Sequence, residues 1–211
     1  MVIQSRNRKG SHRLLAASAF VVFALVLAGG MYIFLQSRLN IFPQVLASLA
    51  SVNERVPFPA ISDDNLSDEQ QKILHILERE YELNPDGTKY SEGVKEPWCA
   101  DFVSWVYKEA DVPLENPNSG YWRIPGTYTL REYYEQTGRF RSPDSNYTPK
   151  FGDTMLYDNP STFGQHVNIV IQNNNGIITT IGGNEPGGIR IVTHEVGDTS
   201  GFVGYGVFET L

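Results

Sequence analysis

The feature that most constrains this chain is an uncharged apolar stretch of 22 residues, Leu14 to Leu35. At roughly 1.5 Å of rise per residue, a helix of this length reaches about 33 Å, which is enough to cross the hydrocarbon core of a bilayer. Four basic residues precede the stretch and only Arg38 follows it closely. This bias places the N-terminus in the cytoplasm. We therefore expect a cytoplasmic segment over residues 1–13 and a single-pass anchor over 14–35, with the remainder of the chain outside.

A cleaved signal peptide is the alternative interpretation of the same stretch. Ala28, Gly29 and Gly30 supply small residues of the kind found at cleavage sites. The apolar part of a signal peptide is usually about 7 to 15 residues long, however, and this stretch is longer. The sequence therefore favours a retained anchor that contacts the lipid bilayer through residues 14–35.

The charge of the outer part limits what it binds. Five of the 17 Lys and Arg residues lie before residue 40, which leaves 12 against all 24 Asp and Glu residues and gives a net charge of −12. Such a surface repels phosphate backbones, so we expect no nucleic-acid partner. One cysteine and four scattered histidines offer no ligand cluster, so we expect no metal and no other cofactor.

The outer part divides into a linker and one domain. Residues 36–66 contain Pro43, Pro57 and Pro59 and show no sustained helical period, which predicts a stalk. A capping box then begins at Ser67 and leads into apolar residues at helical spacing. We therefore place the folded domain over residues 67–211.

The period of apolar residues changes along this domain from helical to strand-like. Three predicted helices, of which the last begins with a capping box at Thr129 and ends at Gly138, are followed by short apolar segments that are separated by Gly, Asn and Pro turns. The predicted strands are Thr154 to Tyr157, His166 to Ile171, Ile177 to Ile181, Ile189 to Val192 and Val203 to Phe208. Helices first and strands second predict an α+β fold in which N-terminal helices pack on an antiparallel β-sheet.

Cys99 is the only cysteine and begins the second predicted helix, on its apolar face. Outside the cytoplasm a lone cysteine has no disulfide partner, which favours a chemical role. A helix N-terminus also offers a positive dipole end and unpaired N–H groups, which favour a thiolate and bind an oxyanion. The alternative is a thiol that packs as a small hydrophobic group.

His166 begins a strand that a turn at Asn173 to Gly176 joins to the next strand. A loop of two, three or four residues places Glu185, Asn184 or Gly183 opposite this histidine. A nucleophilic cysteine needs a base, and the base needs a group that orients it. Cys99, His166 and Asn184 therefore form the predicted catalytic set, with Glu185 as the alternative orienting residue.

Four motifs, PWCADFVSWVYKEA, PKFGDTMLYD, HVNIVI and TIGGN, resemble in order and spacing those of the CHAP domains. These are cysteine- and histidine-dependent amidohydrolases or peptidases of bacterial cell-wall turnover, related to the papain-like NlpC proteins. The resemblance covers about residues 67 to 208 and implies a papain-like fold with Cys99 as nucleophile and His166 as base.

Many CHAP domains carry Glu-Gly-Asn where this chain has Gly182, Gly183 and Asn184. The usual acidic residue is therefore absent and Asn184 is the retained position. The resemblance also implies that Tyr90 lies in the wall of the site, and Trp98 beside the nucleophile is a candidate for substrate contact.

The expected function is that of a membrane-anchored cell-wall hydrolase in the bacterial cytoplasmic membrane. It would cleave an amide bond in the peptide part of peptidoglycan through a Cys-His-Asn acyl-enzyme mechanism. The alternatives are an NlpC-type cysteine peptidase with a different amide substrate, a catalytically silent wall-binding module, and a cysteine enzyme that acts on proteins or small amides.

Overall fold

The computed structural model describes residues 55–159, 165–195 and 201–209, together with Leu27, Gly30 and Met31. The chain divides into two compact units, residues 1–54 and 55–211. In the first unit the three described residues are helical. No helix among the described residues is both long and apolar enough to cross a membrane. The rest of the predicted anchor over 14–35, the segment 1–13 and the first part of the predicted stalk lie outside the described residues.

The second unit combines helices with an antiparallel sheet, which confirms the predicted α+β fold. Its described residues form helices α1 (Asp68–Leu83), α2 (Cys99–Glu109) and α3 (Thr127–Gln136), and 3-10 turns at Gly87–Lys89 and Pro143–Ser145. The strands are β1 (Phe140–Arg141), β2 (Thr154–Tyr157), β3 (His166–Asn174), β4 (Ile177–Glu185), β5 (Gly188–Glu195) and β6 (Phe202–Gly206). They form one sheet in the order β1-β6-β2-β3-β4-β5, in which every neighbouring pair is antiparallel.

Helix α1 begins where the capping box predicts. The Gln70 backbone N–H donates to Ser67 Oγ at 3.2 Å, and the Ser67 backbone N–H donates to Gln70 Oε1 at 3.0 Å. Two donors that a helix start leaves unpaired are thereby satisfied. The helix ends at Asn84, whose φ of 43° is left-handed.

The chain packs on α1 before the predicted domain start at residue 67. The Phe58 ring meets the Tyr81 ring at a centroid distance of 5.9 Å, and the Tyr81 hydroxyl donates to the Val56 carbonyl at 2.5 Å. Phe58 and Ile61 are half-buried against the main core. Residues from Arg55 onward therefore belong to the compact unit, although their prolines predicted a stalk.

The sheet carries apolar side chains on both faces. Alternating residues of β3, which include Val167 and Ile169, join the large core formed with the three helices. Val170 belongs instead to a second, smaller cluster. That cluster contains Met155, Tyr157, Val170, Ile178 and Tyr205. Burial on both faces explains why β3 reads as a nearly continuous apolar run.

A buried carboxylate joins α1 to the segment before α2. The side chain of Glu80 is 0 % exposed and accepts from Lys89 Nζ at 2.5 Å, from the Tyr90 hydroxyl at 2.8 Å and from Arg79 Nε at 3.0 Å. Burial acts to raise the pKa of Glu80, but these three donors outweigh it and lower the pKa. The carboxylate therefore stays charged and fixes Tyr90 beneath the N-terminus of α2.

We expect Glu80→Ala to lower the free energy of unfolding by about 3 kcal/mol, because it removes the buried acceptor of three hydrogen-bond donors. Urea denaturation of the full chain measures this change. Glu82→Ala is the matched control, since Glu82 lies on the same helix and is exposed. Equal effects of the two substitutions would contradict a structural role for the buried carboxylate.

Candidate active site

Cys99 is the first residue of α2 and is 5 % exposed. Trp98 occupies the cap position and makes no side-chain cap hydrogen bond. An indole can donate but cannot accept, so this residue type is unable to cap the N–H groups of the first turn. The Trp98 side chain therefore caps none of the backbone N–H groups in the first turn of α2, next to Cys99. Uncapped N–H groups at a helix N-terminus can bind an oxyanion.

Helix α2 is buried on every side from Cys99 to Tyr107, although its sequence predicts a single buried stripe. The second side is covered by the segment that precedes α3. Asp101 accepts from Arg123 Nε at 2.7 Å, and Ser104 Oγ accepts from the Ile124 backbone N–H at 3.2 Å. Burial raises the pKa of Asp101 to about 6 even though Arg123 opposes this shift. These contacts hold the helix that carries the thiol.

His166 begins β3 and is 3 % exposed. Its Nε2 lies 2.8 Å from Glu185 Oε1, and the ring also forms a hydrogen bond with the Cys99 side chain. Burial alone would lower the pKa of His166, but the hydrogen bonds with Cys99 and Glu185 outweigh it and raise the pKa from 6.5 to about 9. The ring is therefore protonated at neutral pH. Because Nε2 faces Glu185, Nδ1 is the nitrogen available to the thiol.

Two bulges decide which residue meets the histidine. The turn between β3 and β4 holds two residues, Asn175 and Gly176, a length that predicts Glu185 opposite His166. The register then shifts between Val170 and Gln172. Continued without another change, this register would place Asn184 opposite the histidine instead.

A second irregularity, in β4, reverses this shift. Gly182 pairs with Arg190 and Glu185 pairs with Gly188, so two residues of β4 face one residue of β5. Asn184 is one of these two residues of β4 and has a φ of 61° and an exposed side chain. A bulge of this kind redirects the side chains that follow it.

The residue beside His166 is therefore Glu185, whose side chain is 6 % exposed, and not Asn184. The structure brings together two of the three predicted catalytic residues and replaces the third with the alternative. Glu185, the alternative orienting residue, is thus the one that contacts His166, and the catalytic roles of these residues stay a prediction. The replacement matters chemically because a carboxylate stabilises a protonated ring more strongly than an amide does.

The two predicted substrate-binding residues have different environments. Tyr90 is 0 % exposed, and its hydroxyl donates to Glu80. Its side chain is enclosed by protein, and the predicted position in the wall of the site stays a prediction. Its ring stacks under Trp98, with centroids 5.2 Å apart and planes 17° from parallel. Tyr90 supports the cap residue of the nucleophile helix.

Trp98 remains partly exposed and is packed between two glycines. A Cβ added to Gly87 or to Gly183 would lie 2.3 Å from indole atoms, so only glycine fits at either position. The indole lines a concavity of about 310 Å³ together with Asp86, Lys95 and Glu96, among others. Its fixed, half-open position next to Cys99 keeps Trp98 a candidate for substrate contact.

A polar group beside His166 was missed by the sequence analysis. Asn168 is fully buried, and its Nδ2 donates to Thr180 Oγ1 at 3.3 Å and to Glu185 Oε1 at 3.5 Å. Thr180 Oγ1 also lies 3.4 Å from Nε2 of His194, a residue that the sequence did not connect to the site. The alternation of side chains along a strand could have identified Asn168, because residues two positions apart, such as His166 and Asn168, lie on the same face.

Among the residues that the structure describes, no group of three or more His, Cys, Asp or Glu side chains is placed to hold a metal ion.

A family model described as the CHAP domain matches residues 89–184, which confirms the resemblance predicted from the four motifs. Residues 89–184 are thus similar to a CHAP domain, and this match is consistent with a hydrolase or amidase that acts on peptidoglycan. The match includes Cys99 and His166 and ends one residue before Glu185. No curated protein matches the chain.

We expect Glu185→Gln to lower the pKa of His166 from about 9, because the substitution keeps the shape but removes the negative charge that stabilises the protonated ring. The ring will then lose its proton at a lower pH. An NMR titration of the imidazole signals in the full chain measures this change.

Asn184→Ala is the matched control at the neighbouring, exposed position. It should leave the titration of His166 where it was. A shift caused by Asn184→Ala and absent from Glu185→Gln would contradict the assignment of Glu185.

Proposed function

We propose that this protein is a cysteine amidohydrolase or endopeptidase that cleaves an amide bond in the peptide part of peptidoglycan. The observation that carries the proposal is the buried set of Cys99, His166 and Glu185 within a CHAP domain. A helix N-terminus, a protonated imidazole and a carboxylate that orients it are the parts that thiol acyl transfer requires.

The first half of the reaction transfers the acyl group to sulfur. The Cys99 thiolate attacks the carbonyl carbon of the amide and forms a C–S bond, while the carbonyl oxygen takes up negative charge. Backbone N–H groups of the first turn of α2 stabilise this oxyanion. His166 then gives its proton to the amide nitrogen and the C–N bond breaks. The amine product departs, and the acyl group stays on Cys99 as a thioester.

The second half returns the enzyme to its starting state. His166, now neutral, takes a proton from a water molecule, whose oxygen attacks the thioester carbonyl carbon. The C–S bond breaks, the carboxylic acid product leaves, and the thiolate and protonated imidazole are restored. Glu185 accepts a hydrogen bond from the ring and holds it in one orientation, as the carboxylate does in other nucleophile–histidine–carboxylate sets.

We further propose that residues 14–35 anchor the enzyme in the bacterial cytoplasmic membrane, with the CHAP domain on the outer side. The support is the uncharged stretch and the basic residues before it. Single-pass anchoring would confine cleavage to the part of the wall near the membrane.

Trp98 and the concavity beside it supply a surface next to the nucleophile where a peptide can pack.

One observation favours a second candidate, a wall-binding module without catalytic activity. Cys99 is only 5 % exposed, which is also typical of a cysteine that packs as a small hydrophobic group. The contact with His166 argues against this candidate, since a buried imidazole with a raised pKa gives no advantage to a purely binding surface.

The full chain, purified in a mild detergent, should release peptide fragments from isolated peptidoglycan, whereas Cys99→Ala should release them about a thousandfold more slowly or not at all. Mass spectrometry of the soluble products measures this loss. The masses identify the bond that is cut and so separate an amidase from an endopeptidase.

Circular dichroism of both proteins verifies that the fold is unchanged. Equal release by the Cys99→Ala protein would remove the cysteine mechanism. No release by the folded, unchanged protein would favour the wall-binding module.

A further inference from the structure

Asn168 is the one polar side chain between two apolar neighbours, Val167 and Ile169, in the middle of β3. It is 0 % exposed. Its Nδ2 donates to two acceptors, Thr180 Oγ1 at 3.3 Å and Glu185 Oε1 at 3.5 Å. The second acceptor is the same oxygen that faces His166 Nε2 at 2.8 Å. Two donors therefore converge on one carboxylate oxygen.

The other end of this amide is not satisfied. Asn168 Oδ1 is buried and has no hydrogen-bond partner among the described residues. A buried carbonyl without a donor lowers stability, and an apolar side chain of the same shape would avoid that loss. The fold alone therefore does not account for an amide at this position. An apolar residue could supply neither the donation to Thr180 nor the donation to Glu185, and the second of these reaches the carboxylate that faces His166.

The neighbouring strand is shaped around this amide. A Cβ added to Gly182 would lie 1.8 Å from Asn168 Oδ1 and 3.2 Å from His166 Nε2. No residue with a side chain fits at position 182 while Asn168 is in place. Gly182 thus leaves room for the amide directly beside the imidazole.

We propose that Asn168 is a positioning residue of this active site, whose side-chain amide holds the Glu185 carboxylate against His166. The inference deepens the proposed function and rests on it, because it concerns the same nucleophilic set. Glu185 follows a bulge near the end of β4, where the strand alone constrains its side chain weakly. A second donor on Oε1 limits rotation of the carboxylate toward solvent.

The carboxylate of Glu185 fixes which way the amide points. With Nδ2 toward Thr180 and Glu185, the amide presents donors to both. A flipped amide would turn Oδ1 toward the carboxylate and place two acceptors in contact.

The other titratable groups that act on this region are Cys99 and His166 and, from neighbouring strands, Tyr157 and His194. None of these is altered by a substitution at position 168.

The test is Asn168→Leu in the full chain. Leucine has nearly the shape of asparagine and removes the unpaired carbonyl, so the melting temperature should stay the same or rise. The pKa of His166, measured by NMR titration, should fall from about 9 toward 6.5, and the high-pH limb of peptidoglycan cleavage should move to lower pH with it. A purely structural role predicts the reverse, a lower melting temperature and an unchanged titration.

Two further variants keep the test decisive. Thr179→Val is the control, since this residue also loses a hydroxyl but contacts Thr193 and not the site; it should leave the His166 titration unchanged. Thr180→Val removes the second contact of the amide and should lower the pKa of His166 in the same direction, by less. If Asn168→Leu does not fold, the pKa of His166 in Thr180→Val tests the proposal instead. An unchanged His166 pKa in the folded variants would overturn the proposal.

The NMR titration needs no substrate, so the two proposals fail in different ways. If the unchanged protein releases no peptidoglycan fragments while Asn168→Leu shifts the titration, the proposed function fails and the positioning role stands. If cleavage occurs and the titration does not move, the positioning role fails alone.

Discussion

The contact on which the site depends is the buried pair of His166 and Glu185. A histidine buried alone would be neutral, because burial disfavours its charged form. The hydrogen bonds with the Cys99 side chain and with the carboxylate at 2.8 Å reverse that preference and raise the pKa of His166 to about 9. A protonated ring beside Cys99 both favours the thiolate and supplies the proton that the leaving amine needs. One interaction therefore prepares both steps of acyl transfer.

The remainder of the described domain serves to place these groups. Glu80 fixes Tyr90, Tyr90 stacks under Trp98, and Trp98 begins the helix that carries the thiol. Arg123 secures the other side of that helix through Asp101. Buried charges of this kind add less to stability than to defining one arrangement, since their desolvation offsets much of their attraction.

Much of this arrangement follows from the sequence, and the exceptions have physical causes. The helix start at Cys99 and the strand start at His166 are local features, fixed by periodicity and turn residues. The identity of the third residue is not local. It depends on two bulges whose register shifts cancel, and Asn184 has a left-handed backbone in the second of them. The burial of Tyr90 could not be predicted from its local sequence either, because its hydrogen-bond partner Glu80 lies in α1, in a different element.

The rate of Cys99 alkylation by iodoacetamide tests the central claim most directly, since the chain contains one cysteine and every label reports on it. At about pH 6 an ordinary thiol is almost entirely protonated and reacts slowly. At this pH we expect Cys99 to be alkylated at least about tenfold faster than in a folded His166→Gln variant, because the imidazole of His166 is the base that removes the thiol proton. Equal rates in the two proteins, or no reaction in either, would contradict the account.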